Sequence, residues 1–314
     1  MATNVSLTTN GAEVMRDGLK TPLITTNSSV ELEYLRLMML DNTAQAEVDH
    51  WLTDEQKFAR EGAGGDPAVM RGKVRQRLEP VEKAYKEFLD RNPNHIQARL
   101  AFGSFLNDLG REDDAKTQWD KASLLDPKNP AVWNNLANYY GHNSPVTNAF
   151  ACYEKAIALN TNESLYYQNL ATTVYLFRRD ATNYFRITEQ EVFDKAMALY
   201  RKALSLDPEN FPLATDLAQT YYGIKPPRVK DAMEAWNNAL KIAGDDIERE
   251  GVHLHLARWH RTAGDLAAAR RELSVVTNEM YTTTKATLLR TLDRAEGITN
   301  APVADVQTDA PNPK

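Results

Sequence analysis

The chain has 314 residues, of which 42% are hydrophobic and 25% charged, enough apolar content to bury cores and too much for global disorder. Its formal net charge of −6 excludes a general nucleic-acid binder, whose affinity rests on clustered Lys and Arg. A single cysteine, Cys152, excludes an internal disulfide and any cysteine-based metal site.

Residues 1–27 are rich in Thr and Asn and read as a flexible arm, with β-favouring stretches at Val5–Leu7 and Pro22–Thr26. No run of about 18 apolar residues occurs, so direct membrane insertion is not expected. The first residues show neither a basic start nor an apolar stretch. The default expectation is a cytoplasmic protein, with an extracytoplasmic site open if a leader was removed.

Residues 28–93 read as N-terminal helices ending in a degenerate leading repeat. Ser28-x-x-Glu31 suits the start of a helix reaching Leu40, and a second helix runs from Thr43 to Arg60 with Val48, Trp51 and Phe58 on one side. Gly62-Ala-Gly-Gly65 is a break, and Asp66-Pro67 supplies a cap followed by proline in the first helical position. The helix that follows, to Asp90, is expected to bend or stop at Pro80.

Residues 94–277 repeat. An alanine, a bulky residue four later and a small residue three beyond recur as Ala115/Trp119/Ala122, Ala149/Tyr153/Ala156, Ala196/Tyr200/Ala203 and Ala232/Trp236/Ala239, with a weaker copy at Ala269/Leu273/Val276. On a helix this 4 + 3 spacing puts all three side chains on one face. Upstream stand small residues after an apolar one: Gly103, Ala137, Ala171, Ala218 and Ala257. The period is 34 from Gly103 to Ala137 to Ala171, and Asn92-Pro93, Asp126-Pro127 and Asp207-Pro208 punctuate the turns. Tyr85 and Pro93 lie 34 before Trp119 and Pro127, which makes residues 66–93 the leading repeat.

With Trp133, Leu136, Ala137, Tyr140, Ala149, Tyr153 and Ala156 in the second unit, the pattern closely resembles the tetratricopeptide repeat. The resemblance implies an all-α fold, a right-handed superhelical α-solenoid of helix-turn-helix repeats with N- and C-terminal capping helices. Thirteen extra residues separate Ala171 from Ala196, within Leu176–Glu189, and Thr188-x-x-Glu191 reads as a capping box restarting the helix. A smaller insertion surrounds Lys225-Pro226-Pro227. Residues 278–298 are expected to cap the array, and residues 299–314 to form a disordered tail.

No Walker loop, dinucleotide fingerprint or His-Glu-x-x-His occurs, so no enzyme, cofactor or metal site is expected. His253 and His260 lie seven apart, where helical metal ligands prefer four, and stand at positions expected to pack. Cys152 has no evident base and reads as a plain thiol on a helix face.

The resemblance implies that the first helix of each pair lines a concave groove carrying the binding residues. Those helices offer Asn134, Asn135 and Asn138, then Gln168, Asn169 and Thr172, then Asp216 and Gln219. Asn135, Asn169 and Asp216 hold equivalent places, resembling the asparagine ladder with which some family members hold an extended peptide backbone; an amide both donates and accepts. A carboxylate clamp of the kind other members use is not expected, because Pro212 and Asp216 stand where its cations should be. Phe177, Arg178, Arg179, Tyr184 and Phe185 in the insertion either form a second interface or tuck the long turn against its own repeat. The expected function is a non-enzymatic scaffold for a partner protein or peptide. The rival is self-assembly into an oligomer or filament through the solenoid ends and the arm.

Overall fold

The structure, a computed structural model, describes residues 29–60, 62–143 and 145–298. Among them are fourteen α-helices, two short 3-10 turns and no strand. The helices fall into two units that meet in sequence at Leu159 and Asn160.

The first unit holds α1 (Ser29–Arg60), α2 (Pro67–Arg91), α3 (Ile96–Asp108), α4 (Glu112–Leu125), α5 (Pro130–His142) and α6 (Thr147–Leu159). Consecutive helices pair α1 with α2, α3 with α4, and α5 with α6. The second unit holds α7 (Ser164–Leu176), α8 (Arg178–Phe185), α9 (Glu189–Leu206), α10 (Phe211–Thr220), α11 (Val229–Ile242), α12 (Asp246–Thr262), α13 (Leu266–Ser274) and α14 (Thr282–Ala295). Here α7 pairs with α9, α10 with α11, and α12 with α13. The fold is an all-α solenoid of helix-turn-helix repeats.

Every residue of the repeated alanine–bulky–small pattern is buried, none more than 3% exposed. Small residues on the facing helices explain how this is possible. A methyl carbon placed on Gly103 would fall 2.2 Å from the Trp119 indole nitrogen, so α3 and α4 touch where the glycine lacks a side chain. The indole N–H donates to the Leu100 carbonyl at 3.3 Å.

The inter-repeat turns carry a second recurrent device. The Arg99 guanidinium donates to the Pro93 carbonyl (2.8 Å from Nε), the Trp133 indole to that of Pro127 (2.9 Å) and the Tyr167 hydroxyl to that of Thr161 (3.2 Å). Each donor lies six residues beyond its acceptor, and the set repeats at 34. Carbonyls left without partners past a helix end are thus satisfied from the next helix. Asn129, Asn210, Asp245 and Asp265 cap α5, α10, α12 and α13.

Four sequence expectations need correction or placement. The chain does not break near residue 41: α1 is one helix of 32 residues. Its polar stretch is absorbed by bonds that leave the helix intact, Thr43 Oγ1 donating to the Met39 carbonyl (2.7 Å) and the Asp41 carboxylate accepting from the Tyr85 hydroxyl (2.5 Å). Pro80 does not interrupt α2; Leu78, Val81 and Tyr85 around it are buried and hold the helix from both sides of the missing bond. The long insertion is a helix of its own, α8, and not an extended turn. It leaves its repeat intact, since α9 still lies along α7, with Ser164 Oγ donating to the Ala203 carbonyl at 2.9 Å. Ser28 and the arm and tail segments lie outside the described residues.

The predicted capping box is present, with Glu191 N donating to Thr188 Oγ1 (3.3 Å) and Thr188 N to the Glu191 carboxylate (2.7 Å). Asp66 and Pro67 start α2 as expected, Ala68 N donating to Asp66 Oδ1 at 2.7 Å. At the far end, Leu288 and Leu292 of α14 pack on Leu254, Ala257, Ala269 and Leu273 of the last repeat. The Glu250 carboxylate fixes the approach, accepting from Thr277 N (2.8 Å), Thr277 Oγ1 (2.9 Å) and Asn278 N (2.7 Å).

Gly103→Ala is expected to lower stability by about 1–3 kcal/mol through overpacking against Trp119. Gly72→Ala, in open space on α2, is expected to raise it by roughly 0.5–1 kcal/mol. Urea midpoints followed by circular dichroism decide; equal midpoints for the two variants contradict the close approach of α3 and α4.

Candidate binding face on the first helices

The candidate residues sit on α5, α7 and α10, the first helices of three repeats. In the first unit Asn134 is buried, while Asn135 and Asn138 are half-buried. In the second, Asn169 is buried, Gln168, Thr172 and Asp216 are half-buried and Gln219 is exposed. The face is therefore less open than a row of solvated amides. Asn134 at 4% and Asn169 at 9% exposure are parts of the packing.

Two of the candidates are held within their own repeats. The Tyr153 hydroxyl donates to Asn138 Oδ1 at 2.6 Å, and Thr172 Oγ1 shares a 2.7 Å hydrogen bond with the Tyr200 hydroxyl. Tyr153 and Tyr200 are the bulky residues of the repeat pattern, and Asn138 and Thr172 each follow the small residue of the first helix, Ala137 or Ala171. The same bond thus recurs in two repeats. Burial pushes the Tyr200 hydroxyl up to about 12, so it stays a neutral donor or acceptor.

One bond joins first helices of successive repeats: Gln168 Nε2 of α7 donates to Asp216 Oδ2 of α10 at 3.0 Å. Burial raises the Asp216 carboxyl above its ordinary value, and the Gln168 amide partly offsets this. Asn169 and Asp216 are equivalent in sequence, yet the side chain that reaches Asp216 here is that of the neighbouring position, Gln168.

The equivalent place in the last repeat belongs to His255, two before Ala257 as Asp216 is two before Ala218. Spacing from the small residue alone places His255 on this rung. The His255 ring stacks on Trp236, with centroids 4.0 Å apart and planes 6° from parallel. Its Nδ1 shares a 2.9 Å hydrogen bond with the Tyr222 hydroxyl. Burial, then the nearby Arg258 charge, depress the imidazole to about 3. Tyr222 in turn stacks on Trp259, centroids 5.0 Å apart.

The other histidines behave differently. His253 Nδ1 lies 2.6 Å from Glu272 Oε2, and His260 Nε2 lies 3.8 Å from Glu272 Oε1. Both are half-buried packing residues of α12 bridged by one carboxylate of α13. Among the described residues no group of three or more His, Cys, Asp or Glu has the arrangement to hold a metal ion. Burial pushes the Cys152 thiol up to about 11, which makes it a poor nucleophile.

The insertion residues divide. Arg178 pairs with Glu189 (3.1 Å), the Tyr184 and Phe185 rings meet edge-on at 4.8 Å, and Lys195 Nζ sits 4.1 Å from the Phe185 ring centre. Phe177 closes α7 and opens α8 and is half-buried; Arg179 is exposed. Arg178, Tyr184 and Phe185 are thus engaged between α8 and α9 or within α8. No helix among the described residues is long and apolar enough to cross a membrane.

His255 gives a pH test of this packing. Its folded value lies far below the ordinary imidazole value of 6.5, so between those two values the unfolded chain binds a proton that the folded chain does not. Stability contributed by this group is complete above 6.5 and falls as the pH drops toward 3. The raised Asp216 value acts in the opposite sense, but only near the carboxylate range. His255→Phe, which keeps a ring against Trp236, is expected to flatten the loss of urea midpoint between pH 7 and pH 5. Parallel wild-type and variant profiles rule out the buried neutral imidazole.

A tetratricopeptide-repeat family model matches residues 190–210, which cover α9 and the turn after it. An N-terminal acetyltransferase A complex subunit-like protein of Schizosaccharomyces pombe is 31% identical over 86 residues, 27% of this chain. The chain spans 12% of the length of that curated relative. Among solved structures, PilW, a type IV pilus biogenesis factor, superposes with a TM-score of 0.53 at 18% identity, over 76% of this chain and 97% of its own. YrrB, a tetratricopeptide-repeat protein with an unusual peptide-binding site, gives 0.50 at 13% identity, over 67% and 99%. Buried small and bulky residues at the repeat spacing and the helix pairs they build give the tetratricopeptide-repeat fold, and the family model matches one of its repeats.

Proposed function

We propose that the protein is a binding scaffold without chemistry of its own, which holds an extended segment of a partner protein against the polar faces of its first helices. The observation that carries this reading is the recurrence of polar side chains at equivalent positions of successive first helices, bonded across the repeat boundary by Gln168 and Asp216. Half-buried amides and hydroxyls already oriented by neighbours lose little freedom on binding, and Gln219 and Asn135 retain solvent access. A peptide-binding site in a neighbour of the same fold, YrrB, supports the mode of binding and leaves the partner open. Because the curated relative is far longer than the stretch it shares with this chain, its complex does not identify the partner.

Photo-crosslinking residues placed at Gln168 and Gln219, both in the second unit, are expected to trap a common partner, and the same residues at Lys202 and Lys241, on the second helices of that unit, to trap none. Equal trapping from both faces overturns the reading. Asn169 is unsuitable for such a test, since its burial makes loss of partner and loss of fold indistinguishable.

Self-association is a second reading with its own observation. On α1 the side chains of Leu32, Leu35, Met39 and Leu40 are exposed, Met39 to 69%, where a terminal helix of a solenoid is usually polar. Light scattering of the full chain is expected to show a species larger than the monomer that Leu35→Lys with Met39→Lys dissociates. A monomer before and after the substitutions excludes it.

A further inference from the structure

At the α12 end of the second unit, the polar face changes character. Asn138, Thr172 and Gln219 hold one equivalent place in three repeats, and in the last repeat that place is Arg258. The next place along, one turn on, carries Gly141, Tyr175, Tyr222 and then Arg261. Two guanidinium groups therefore replace neutral side chains where the array ends, on a chain whose net charge is −6.

Neither arginine has a carboxylate within ion-pair distance among the described residues. This matters most for Arg258, which is half-buried. Three other half-buried arginines are matched by carboxylates, Arg77 by Glu47, Arg228 by Asp194 and Arg270 by Asp293 and Glu296, while half-buried Arg99 is satisfied by the Pro93 carbonyl and the Gln118 amide. A partly desolvated cation without an anion is costly. Arg258 instead stands beside the Tyr222 hydroxyl, whose partners include the Arg258 and Arg261 charges. His255, whose ring stays neutral at physiological pH, adds no further positive charge beside them. The walls are aromatic: Tyr222 is 39% exposed and stacks on buried Trp259, and Trp236 backs His255. The spot thus combines two uncompensated fork-shaped donors, which match a carboxylate bidentately, with rigid rings that exclude water beside them.

We propose that Arg258 and Arg261, walled by Tyr222 and Trp259, hold an acidic side chain of the bound partner segment. The inference rests on the reading of the face as a segment-binding surface and adds the chemistry of one of its positions. A carboxylate here completes the missing ion pair and leaves the amides of α7 and α10 to hold the backbone. The place differs from the clamp that Pro212 and Asp216 exclude, since the cations come from α12 alone.

The test uses the full chain and two capped hexapeptides, Ac-Ala-Ala-Glu-Glu-Ala-Ala-NH2 and its Gln-Gln counterpart, titrated while the Trp259 and Trp236 indole N–H resonances are followed. The Glu peptide is expected to shift them with at least tenfold higher affinity than the Gln peptide. Arg258→Gln with Arg261→Gln should abolish that preference with helical content unchanged, while Arg71→Gln with Arg75→Gln, on exposed positions of α2, should leave it intact. Equal affinities, no binding of either peptide at millimolar concentration, or a preference that survives the α12 substitutions overturns the proposal. If Asp305→Asn with Asp309→Asn moves the indole resonances with no peptide present, the occupant is the chain's own acidic tail, and the partner assignment falls. Gln168→Ala with Gln219→Ala separates the two readings. Weakening of both peptides alike without a Glu preference keeps the face and removes the acidic site. A Glu preference untouched by those substitutions keeps the site and removes the backbone-holding face.

Discussion

The distance between the two helices of a repeat governs everything else in this protein. It is set where a side chain of no more than one carbon meets a buried ring: Gly103 against Trp119, with Ala137, Ala171, Ala218 and Ala257 at the same place in the later repeats. Helices that approach closely bury their rings fully, and dispersion and hydrophobic burial then act over the largest area. The closeness also puts ring hydroxyls of second helices within reach of first helices. Tyr153 bonds Asn138, and Tyr200 bonds Thr172, because the backbones leave room for nothing longer. Packing and the polar face are therefore one arrangement viewed from two sides.

The insertion illustrates how strongly this constraint acts. Eight helical residues intervene between α7 and α9, and the pair still closes with the same bonds that an uninterrupted repeat makes. The extra segment is accommodated outside the contact, anchored by Arg178 to Glu189 and by Lys195 over Phe185. Local units that contact only their neighbours can absorb such additions without disturbing the array.

Much of the fold was legible because the repeat writes its packing into fixed spacings. The buried residues, the turn prolines and the capping box at Thr188 all follow from local sequence. The failures share a cause: the deciding partner lay far along the chain. Asp41 and Thr43 look like a helix break until Tyr85, 44 residues on, is seen to bond Asp41. Pro80 looks like a stop until the burial of its neighbours is known. The site was legible as a set of positions but not as a set of states. Asn134 and Asn169 read as surface amides, yet tertiary packing buries them. Nothing in its immediate neighbours singles out His255, although counting back from Ala257 places it on the same rung as Asp216.

The charges along the face of the second unit follow an order that packing imposes. Asp216 is held between α7 and α10 with an amide as its partner, in surroundings that favour its neutral form. His255, one repeat on, is forced neutral between Trp236 and Tyr222. Burial thus removes His255 from the charges of the face, whereas arginine does not lose its proton in a protein. A face arranged in this way keeps the same electrostatic character across the physiological pH range. Recognition by such a surface depends on where the partner's own charges lie, and the fixed spacing of the repeats converts that into a requirement on the spacing of residues in the bound segment.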